Sequence, residues 1–295
     1  MYETILVPTD GSAHAERAAR HALSLADAFD ATVTVLGVAD LQRAGGAFSA
    51  GGVDDEFRDR VETEAASAVE RTAALAEDRV SVETAVVDGD PAEAIVDYAD
   101  EGAFDAVAMG THGRRGLSRL VFGSVTRYAL RHTTRPVLTA RETDADPVTD
   151  YGDVLVPTDG SDAAAAAVDH GIAVAEAFDA TLHAVHVVDL GAMATGSGVE
   201  PPTDQIERYT EAGEAAVEAV AERARGEGVD ATTTVEHGFP TADLLEYVDE
   251  HGVDLVAMGT HGRAGIDRVL LGSTTERLVC RSPVPVLAVH PDERE

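Results

Sequence analysis

Lysine is absent from the 295 residues of this sequence, so every basic side chain is an arginine or a histidine. This absence excludes two classes of site. A P-loop needs a lysine between its last glycine and a serine or threonine, and a Schiff-base enzyme needs a lysine amine. Neither chemistry is available to this chain.

Cysteine is nearly absent as well, because Cys280 is the one cysteine in the chain. An internal disulfide is therefore excluded, and a single thiol fits a reducing compartment. No apolar run reaches the roughly 18 residues of a membrane span, and the sequence enters an apolar strand at once, without a signal peptide before it. We expect a soluble, cytoplasmic protein that has no membrane partner.

Positive charge is scarce, since 22 arginines stand against 54 acidic residues and the formal net charge is -32. Such a surface repels nucleic acid, which we therefore do not expect as a partner. At molar salt the Debye length falls to about 3 Å, so dense carboxylates are tolerated there but repel one another in dilute buffer. The composition indicates a halophilic protein from an acidic proteome. An acidic mesophilic protein is the alternative, but it would rarely lack lysine altogether.

What the sequence does contain is an internal repeat. Asp10 and Asp159 lie in the same P-T-D-G-S element, and Gly110 and Gly259 begin the same glycine motif. Both pairs have the same spacing (159 − 10 and 259 − 110, or 149). An internal duplication explains this register. We predict two domains, at 1–142 and 151–295, joined by a short polar linker at 143–150.

Short apolar runs alternate with segments of helical periodicity in each half. In the first half the pattern predicts strands at 4–7, 32–38, 80–87, 106–109 and 136–140. It predicts helices at 12–28, at 57–73, from residue 91, and at 124–132. The second half repeats this order, so the chain is predicted to be an α/β protein with a parallel sheet in each domain, covered by helices on both faces.

A glycine loop stands between a strand and a helix in each half. The first reads M-G-T-H-G-R-R-G and continues to Gly123 and Ser124, and the second reads M-G-T-H-G-R-A-G and continues to Gly272 and Ser273. Both fit the pattern G-x2-G-x9-G-S. Backbone N–H groups exposed by glycine at a helix N-terminus suit a phosphate, so each loop predicts an anion site.

These loops, together with a V-P-T-D-G-S element at the start of each half, resemble the nucleotide-binding loop of the ATP-binding branch of the universal stress protein family. The resemblance covers nearly the whole chain. It implies a Rossmann-like, five-stranded parallel sheet of order 3-2-1-4-5 in each domain, with the ends of strands 1 and 4 at the point where strand order reverses. It implies ATP as the ligand, with Mg²⁺ on the phosphates left open.

The resemblance also implies an assembly, because family members dimerise through the edge strand at the end of the domain. We expect the two halves to pair edge to edge within one chain as an internal pseudo-dimer. A further homodimer and the identity of a protein partner stay open.

The candidate site residues occur in both halves. Asp10 and Asp159 are expected to bind ribose hydroxyls, although capping of the first helix is the commoner role of such an aspartate. Ser124 and Ser273 are expected to offer hydroxyls to phosphate while capping their helices. The predicted binding residues are Pro8, Thr9, Asp10, Val38, Gly110, Gly113, Arg114, Arg115, Gly123, Ser124 and Val125 in the first half, and Pro157, Thr158, Asp159, Val187, Gly259, Gly262, Arg263, Gly272, Ser273 and Thr274 in the second.

Several of these roles come from the resemblance alone. It assigns the backbone N–H groups of Val125 and Thr274 to the phosphates, and the backbone of Val38 and Val187 to adenine. From the residues themselves, the glycines are expected to let the backbone approach the ligand, and the arginines to attract phosphate.

The most direct functional prediction is a nucleotide-dependent binding protein of the stress response. A slow Mg-dependent ATPase or phosphoryl-transfer enzyme in the same clefts is the alternative, and a nucleotide-free structural dimer is disfavoured by two intact glycine loops. His112 and His261 suggest acid–base chemistry, but the sequence provides no carboxylate at a fixed short spacing to orient them. We therefore predict no catalytic residue and no metal ligand.

Overall fold

The computed structural model describes residues 1–41, 55–113, 123–143, 147–193, 203–261 and 271–291. The chain divides into two compact units, Met1–Thr149 and Asp150–Glu295. Among the described helices, none is long and apolar enough to cross a membrane.

The first unit alternates strands with helices. Its strands are β1 (Thr4–Pro8), β2 (Thr32–Ala39), β3 (Val82–Asp88), β4 (Ala106–Gly110) and β5 (Val137–Ala140). Its described helices are α1 (Ala13–Phe29), α2 (Asp55–Ala73), α3 (Pro91–Glu101) and α4 (Ser124–His132), with a 3-10 turn at Ala74–Ala76. Neighbouring strands are parallel, in the order β3-β2-β1-β4-β5. This order is the predicted 3-2-1-4-5.

The second unit repeats the arrangement. Its strands are β6 (Asp153–Pro157), β7 (Thr181–Asp189), β8 (Ala231–Gly238), β9 (Leu255–Gly259) and β10 (Val286–Val289). Its described helices are α5 (Asp162–Phe178), α6 (Leu190–Met193), α7 (Thr203–Gly226), α8 (Pro240–His251) and α9 (Ser273–Arg281). The parallel order is β8-β7-β6-β9-β10, which is again 3-2-1-4-5 by position in the unit. The predicted fold class is confirmed in both units.

Helix α1 shows why this sequence folds in layers. The helix packs on β1, β4 and β5, and both β1 and β4 are buried along nearly their whole length. Its inner face is made mostly of alanines, which let the helix lie close to the sheet and remove apolar surface from water. The buried alanines are Ala15, Ala18, Ala19, Ala22 and Ala26.

Helix α1 begins with an N-cap at Ser12, so the alternative in which Asp10 caps it is wrong. Ser12 Oγ accepts a hydrogen bond from Ala15 N at 3.3 Å. Ser161 caps α5 in the same way, and Asp159 does not. The reason is position, because each aspartate lies two residues before the cap and its carboxylate is occupied by the turn. A serine cap of this kind contributes about 1 kcal/mol.

The two units fill the space between their second strand and the helix beside it in opposite ways. In the first unit Gly37 of β2 lies under α2, where a Cβ would be 2.8 Å from Val69 Cγ2. In the second unit the large residue is on the strand. His186 of β7 occupies the position that Gly37 has in β2, and Gly213 of α7 leaves room for its ring. His186 Nδ1 donates to Thr158 O at 2.8 Å. Each pairing of small against large fills the same layer.

Candidate functional site

The site lies where strand order reverses in each unit. In the first unit β1 pairs with β2 on one side and with β4 on the other, so the chain leaves β1 and β4 at the same edge of the sheet. Clefts of parallel α/β sheets form outside the strand ends at this point. The structure therefore brings 8–10 and 110–113 together, and 157–159 and 259–261 in the second unit.

Asp10 faces the start of the glycine loop. Its Oδ1 accepts a hydrogen bond from Ser12 N at 3.0 Å, and its Oδ2 lies 2.6 Å from the point where a Cβ of Gly113 would be. Only glycine fits at 113 while the carboxylate keeps this place. In the second unit Asp159 Oδ1 accepts from Ser161 N at 3.0 Å. The turn thus holds each carboxylate at the mouth of its cleft.

Thr9 stabilises the turn that follows β1. Its hydroxyl accepts from Gly11 N at 3.1 Å and bonds Thr72 Oγ1 of α2 at 2.9 Å. Thr158 repeats the first contact, accepting from Gly160 N at 3.1 Å. Both threonines are buried beside their aspartates, so the fold itself holds these two predicted binding residues in place.

Gly110 and Gly259 have a packing reason to be glycine. A Cβ on Gly110 would lie 2.7 Å from His14 C and 2.8 Å from Ala15 N. A Cβ on Gly259 would meet the backbone of Ala163 in the same way. The absence of a side chain lets the first turn of α1, and of α5, approach the end of the neighbouring strand. Their predicted approach to a ligand stays a prediction.

Gly123 and Gly272 are the N-caps of α4 and α9, and neither helix has a side-chain cap. The prediction that Ser124 and Ser273 cap these helices is wrong, because each serine is the first helical residue and its hydroxyl cannot reach back over the turn. Gly123 N donates to Thr111 O at 3.0 Å, which closes the loop. The N–H groups of the first helical turn are then the donors that an anion would meet.

A threonine that sequence analysis missed fastens this helix to the sheet. Thr126 Oγ1 donates to Gly110 O at 2.7 Å, and Thr275 Oγ1 donates to Gly259 O at 2.9 Å. Both side chains are buried. The sequence repeat could have indicated this role, because the two threonines occupy the same position in the two halves. A threonine in a helix is usually interpreted as a surface residue without a structural role.

The remaining predicted residues divide into two groups. Pro8 and Pro157 end β1 and β6, and Val38 and Val187 are half-buried near the ends of β2 and β7. Val125 and Thr274 are the second residues of α4 and α9, and their backbone contact with phosphate stays a prediction. The second group lies outside the described residues, so its roles stay predictions as well: Arg114, Arg115, Gly262 and Arg263.

Two imidazoles meet in the cleft of the first unit. The rings of His14, in the first turn of α1, and His112, which follows β4, have centroids 5.1 Å apart. His14 Nδ1 accepts from Glu142 N at 2.9 Å, and its Nε2 lies 3.6 Å from Glu142 Oε2. Burial lowers the pKa of His14, with a smaller effect of His112 in the same direction. The pair places titratable groups beside Asp10.

The second unit reaches a similar arrangement from a different position. Thr260 Oγ1 lies 2.9 Å from His261 Nδ1 and 3.2 Å from His290 Nδ1, and the two rings are 6.2 Å apart. The repeat could not reveal this, because Ala163 stands at the position of His14 and Arg141 at the position of His290. Among the described residues, no group of three or more side chains could hold a metal ion.

Comparison with known proteins places both units in one family. A sequence model of the universal stress protein family matches residues 1–141 and 150–290. A universal stress protein of Mycolicibacterium smegmatis is 28% identical over 299 residues, covering 97% of each chain. One from Methanocaldococcus jannaschii is 36% identical over 146 residues, covering 49% of this chain and 85% of the relative.

Similarity to solved structures extends over the whole chain. A universal stress protein from Archaeoglobus fulgidus matches with a TM-score of 0.74 at 22% identity, over 98% of both chains. At this level of identity the match concerns the fold alone.

Proposed function

This chain belongs to the universal stress protein family, and on that premise we propose that it binds ATP in one cleft per unit and acts as a nucleotide-dependent binding protein of the stress response. The family domain occurs in each half, so the proposal assigns one nucleotide to each. The protein partner that reads the nucleotide state is left open.

The observation that carries the proposal is the open helix N-terminus at the point of strand reversal. Helices α4 and α9 begin after glycine N-caps that offer no side chain, whereas Ser12 caps α1 and Asp90 caps α3. N–H groups left at the positive end of a helix suit a phosphate. Helix α8 also lacks a side-chain cap, but it follows the edge strand β8, whereas α4 and α9 begin at the two places where a ligand would lie.

Each predicted residue type has a role in this proposal. The first-turn N–H groups bind phosphate oxygens, the aspartates bind ribose hydroxyls, and the valine backbones contact adenine. Mg²⁺ would offset part of the phosphate charge, and the loop arginines would attract the phosphates. The residues concerned are Ser124, Val125, Asp10, Val38, Arg114 and Arg115 in the first unit, and Ser273, Thr274, Asp159, Val187 and Arg263 in the second.

Replacing Ser124 and Ser273 together by proline tests the proposal, because it removes one N–H donor from each cleft while leaving the helix intact. Proline is tolerated at the first helical position, and α3 and α8 already begin with Pro91 and Pro240. Gly123 has φ -61 and ψ 136, the extended backbone that a following proline requires. A charged hydrogen bond contributes about 1.5 to 3 kcal/mol, so calorimetric ATP affinity should fall roughly tenfold to a hundredfold.

The matched control is Ser124→Ala with Ser273→Ala, which removes the hydroxyls and retains the N–H groups. We expect the alanine variant to bind ATP within a few-fold of the unaltered protein. Equal affinity of the proline and alanine variants would contradict the assignment of phosphate to these helices. If the unaltered protein releases ADP from ATP in the presence of Mg²⁺ and both variants lose this activity, the result would instead support a slow ATPase.

We propose in addition that the protein works in a salt-rich cytoplasm. The support is compositional, since the net charge is -32 and lysine is absent. Several ion pairs of the described residues are exposed, such as Arg208 with Asp204, and exposed pairs of this kind contribute little to stability. Carboxylate repulsion must therefore be reduced by the solvent, and binding assays should be run at high salt.

A further inference from the structure

The cleft of the first unit contains an imidazole that the proposed function leaves without a role. His112 is 8% exposed and lies directly before Gly113, whose Cα faces the carboxylate of Asp10. The described titratable and charged groups around its neighbour His14 are Asp10, Arg141, Glu142 and His112 itself. His112 therefore stands at the mouth of the cleft, beside a ring on which groups of both signs act.

One side of the His112 ring has a partner and the other does not. Thr111 Oγ1 lies 3.1 Å from Nδ1, while Nε2 is inaccessible to solvent and has no hydrogen-bond partner among the described residues. The described part of the second unit repeats this at His261, where Thr260 Oγ1 is 2.9 Å from Nδ1 and Nε2 lacks a partner. A buried polar atom left unpaired costs about 1–3 kcal/mol. Its recurrence indicates that a ligand atom completes the site.

The two imidazoles of the first cleft differ in how they can accept a proton. His14 Nδ1 accepts from Glu142 N, so a proton added there would break a hydrogen bond. Burial, followed by His112, lowers the pKa of His14, and Arg141 acts in the same direction, while Glu142 and Asp10 oppose it. The Thr111 hydroxyl can accept a hydrogen bond from Nδ1–H of His112, and in that tautomer Nε2 is the bare nitrogen to which a proton would add. His112 can therefore gain a proton without losing this contact.

We propose that His112 takes up a proton when nucleotide phosphates enter the cleft of the first unit, and that its Nε2–H then donates to a phosphate oxygen. This inference rests on the proposed function. The bound state holds a proton that the free state lacks, so affinity for ATP rises as pH falls. His14 stays neutral and keeps its bond from Glu142 N.

Calorimetric titration with ATP at pH 7, in buffers of different ionisation enthalpy, measures the protons taken up per nucleotide. The full-length Ser273→Pro protein is used throughout, because it weakens the second cleft. His112→Gln retains a donor nitrogen but cannot take up a proton, and we expect it to lower the number of protons taken up per nucleotide. Its gain in affinity between pH 8 and pH 6 should be several-fold smaller. The ionisation of ATP itself is common to all variants and cancels in the difference.

The matched control is His132→Gln, which alters an exposed imidazole at the end of α4 and should leave proton uptake unchanged. Equal proton uptake with and without His112 would overturn the inference while leaving the proposed function intact. If ATP binds at no pH, the proposed function fails, and the inference fails with it.

A second variant covers the case in which His112→Gln does not fold. Thr111→Val is close in shape and removes the hydroxyl that would accept from the protonated ring. It should lower proton uptake as well, and unchanged uptake would again overturn the inference.

Discussion

Replacing Gly259 by alanine should destabilise the second unit, because the added methyl group has no space. Its Cβ would lie 2.8 Å from Ala163 C, against the carbonyl oxygen of the same residue, and 3.2 Å from Ala164 N. These are backbone atoms in the first turn of α5, so no side-chain rotation can relieve the contact. The helix would have to move away from β9 by roughly half an ångström.

The magnitude follows from other overpacked cores, where an extra carbon costs about 1–3 kcal/mol. For a unit of this size, 2 kcal/mol corresponds to a fall in Tm of roughly 4 to 8 °C. Differential scanning calorimetry of the full chain in concentrated KCl measures it. Gly226→Ala is the control in the same unit, because Gly226 ends α7 and a Cβ there meets nothing within 4 Å. Alanine should leave that Tm unchanged or raise it slightly.

Equal melting temperatures for Gly259→Ala and Gly226→Ala would refute the reasoning. The first unit supplies a replicate, since Gly110 stands against His14 with distances of 2.7 Å to both C and Cβ. Gly110→Ala should lower the transition of the first unit by a similar amount. A loss confined to ATP binding, with both transitions intact, would show that these glycines serve the ligand and not the packing.

Three further predictions concern the bond from the helix to the sheet, salt and pH. Thr126→Val leaves the carbonyl of Gly110 without its buried donor, so the free energy of unfolding should fall by about 1–3 kcal/mol. ATP affinity should fall as well. An unchanged denaturant midpoint would contradict the role of this bond. Dilution from about 1 M to about 0.1 M KCl lengthens the Debye length from about 3 to about 10 Å, so the Tm should fall markedly, and a salt-independent Tm would contradict the halophilic proposal. Burial, with a smaller effect of Arg17, lowers the pKa of His21 to about 3. The unfolded chain then binds this proton more readily, so the first unit loses up to about 1.4 kcal/mol of stability per pH unit as pH falls from about 6.5 towards 3. His21→Leu should flatten this part of the curve of unfolding free energy against pH, and identical slopes would argue against the shift.

The secondary structure could be predicted closely because each element depends on local composition. The helix expected at 12–28 is Ala13–Phe29, and the strand expected at 32–38 is Thr32–Ala39. Alanine spacing and runs of valine are visible in the local sequence, so these elements can be predicted without knowledge of their tertiary contacts. The strand order could not be predicted from such local patterns, because only the family resemblance supplied the order 3-2-1-4-5.

The site was harder to predict because its contacts join residues far apart in the chain. Asp10 faces Gly113, Thr126 bonds Gly110, and His14 meets His112, none of which a local pattern expresses. The error over the helix caps was smaller. At α1 and α5 it arose because neighbouring polar residues compete for the same orphan N–H group. At α4 and α9 it arose because the N-cap residue is a glycine, which has no side chain to accept from that group.

The opposite arrangements at Gly37 and His186 limit how the two halves can be recombined. A chimaera that moved β7 into the place of β2 would place an imidazole against Val69 of α2, and the reverse exchange would leave a void beneath Gly213 of α7. The interchangeable module is therefore a strand together with the helix that covers it. Although the halves align in one register, divergence has coupled these two segments, so engineers should graft them as a block.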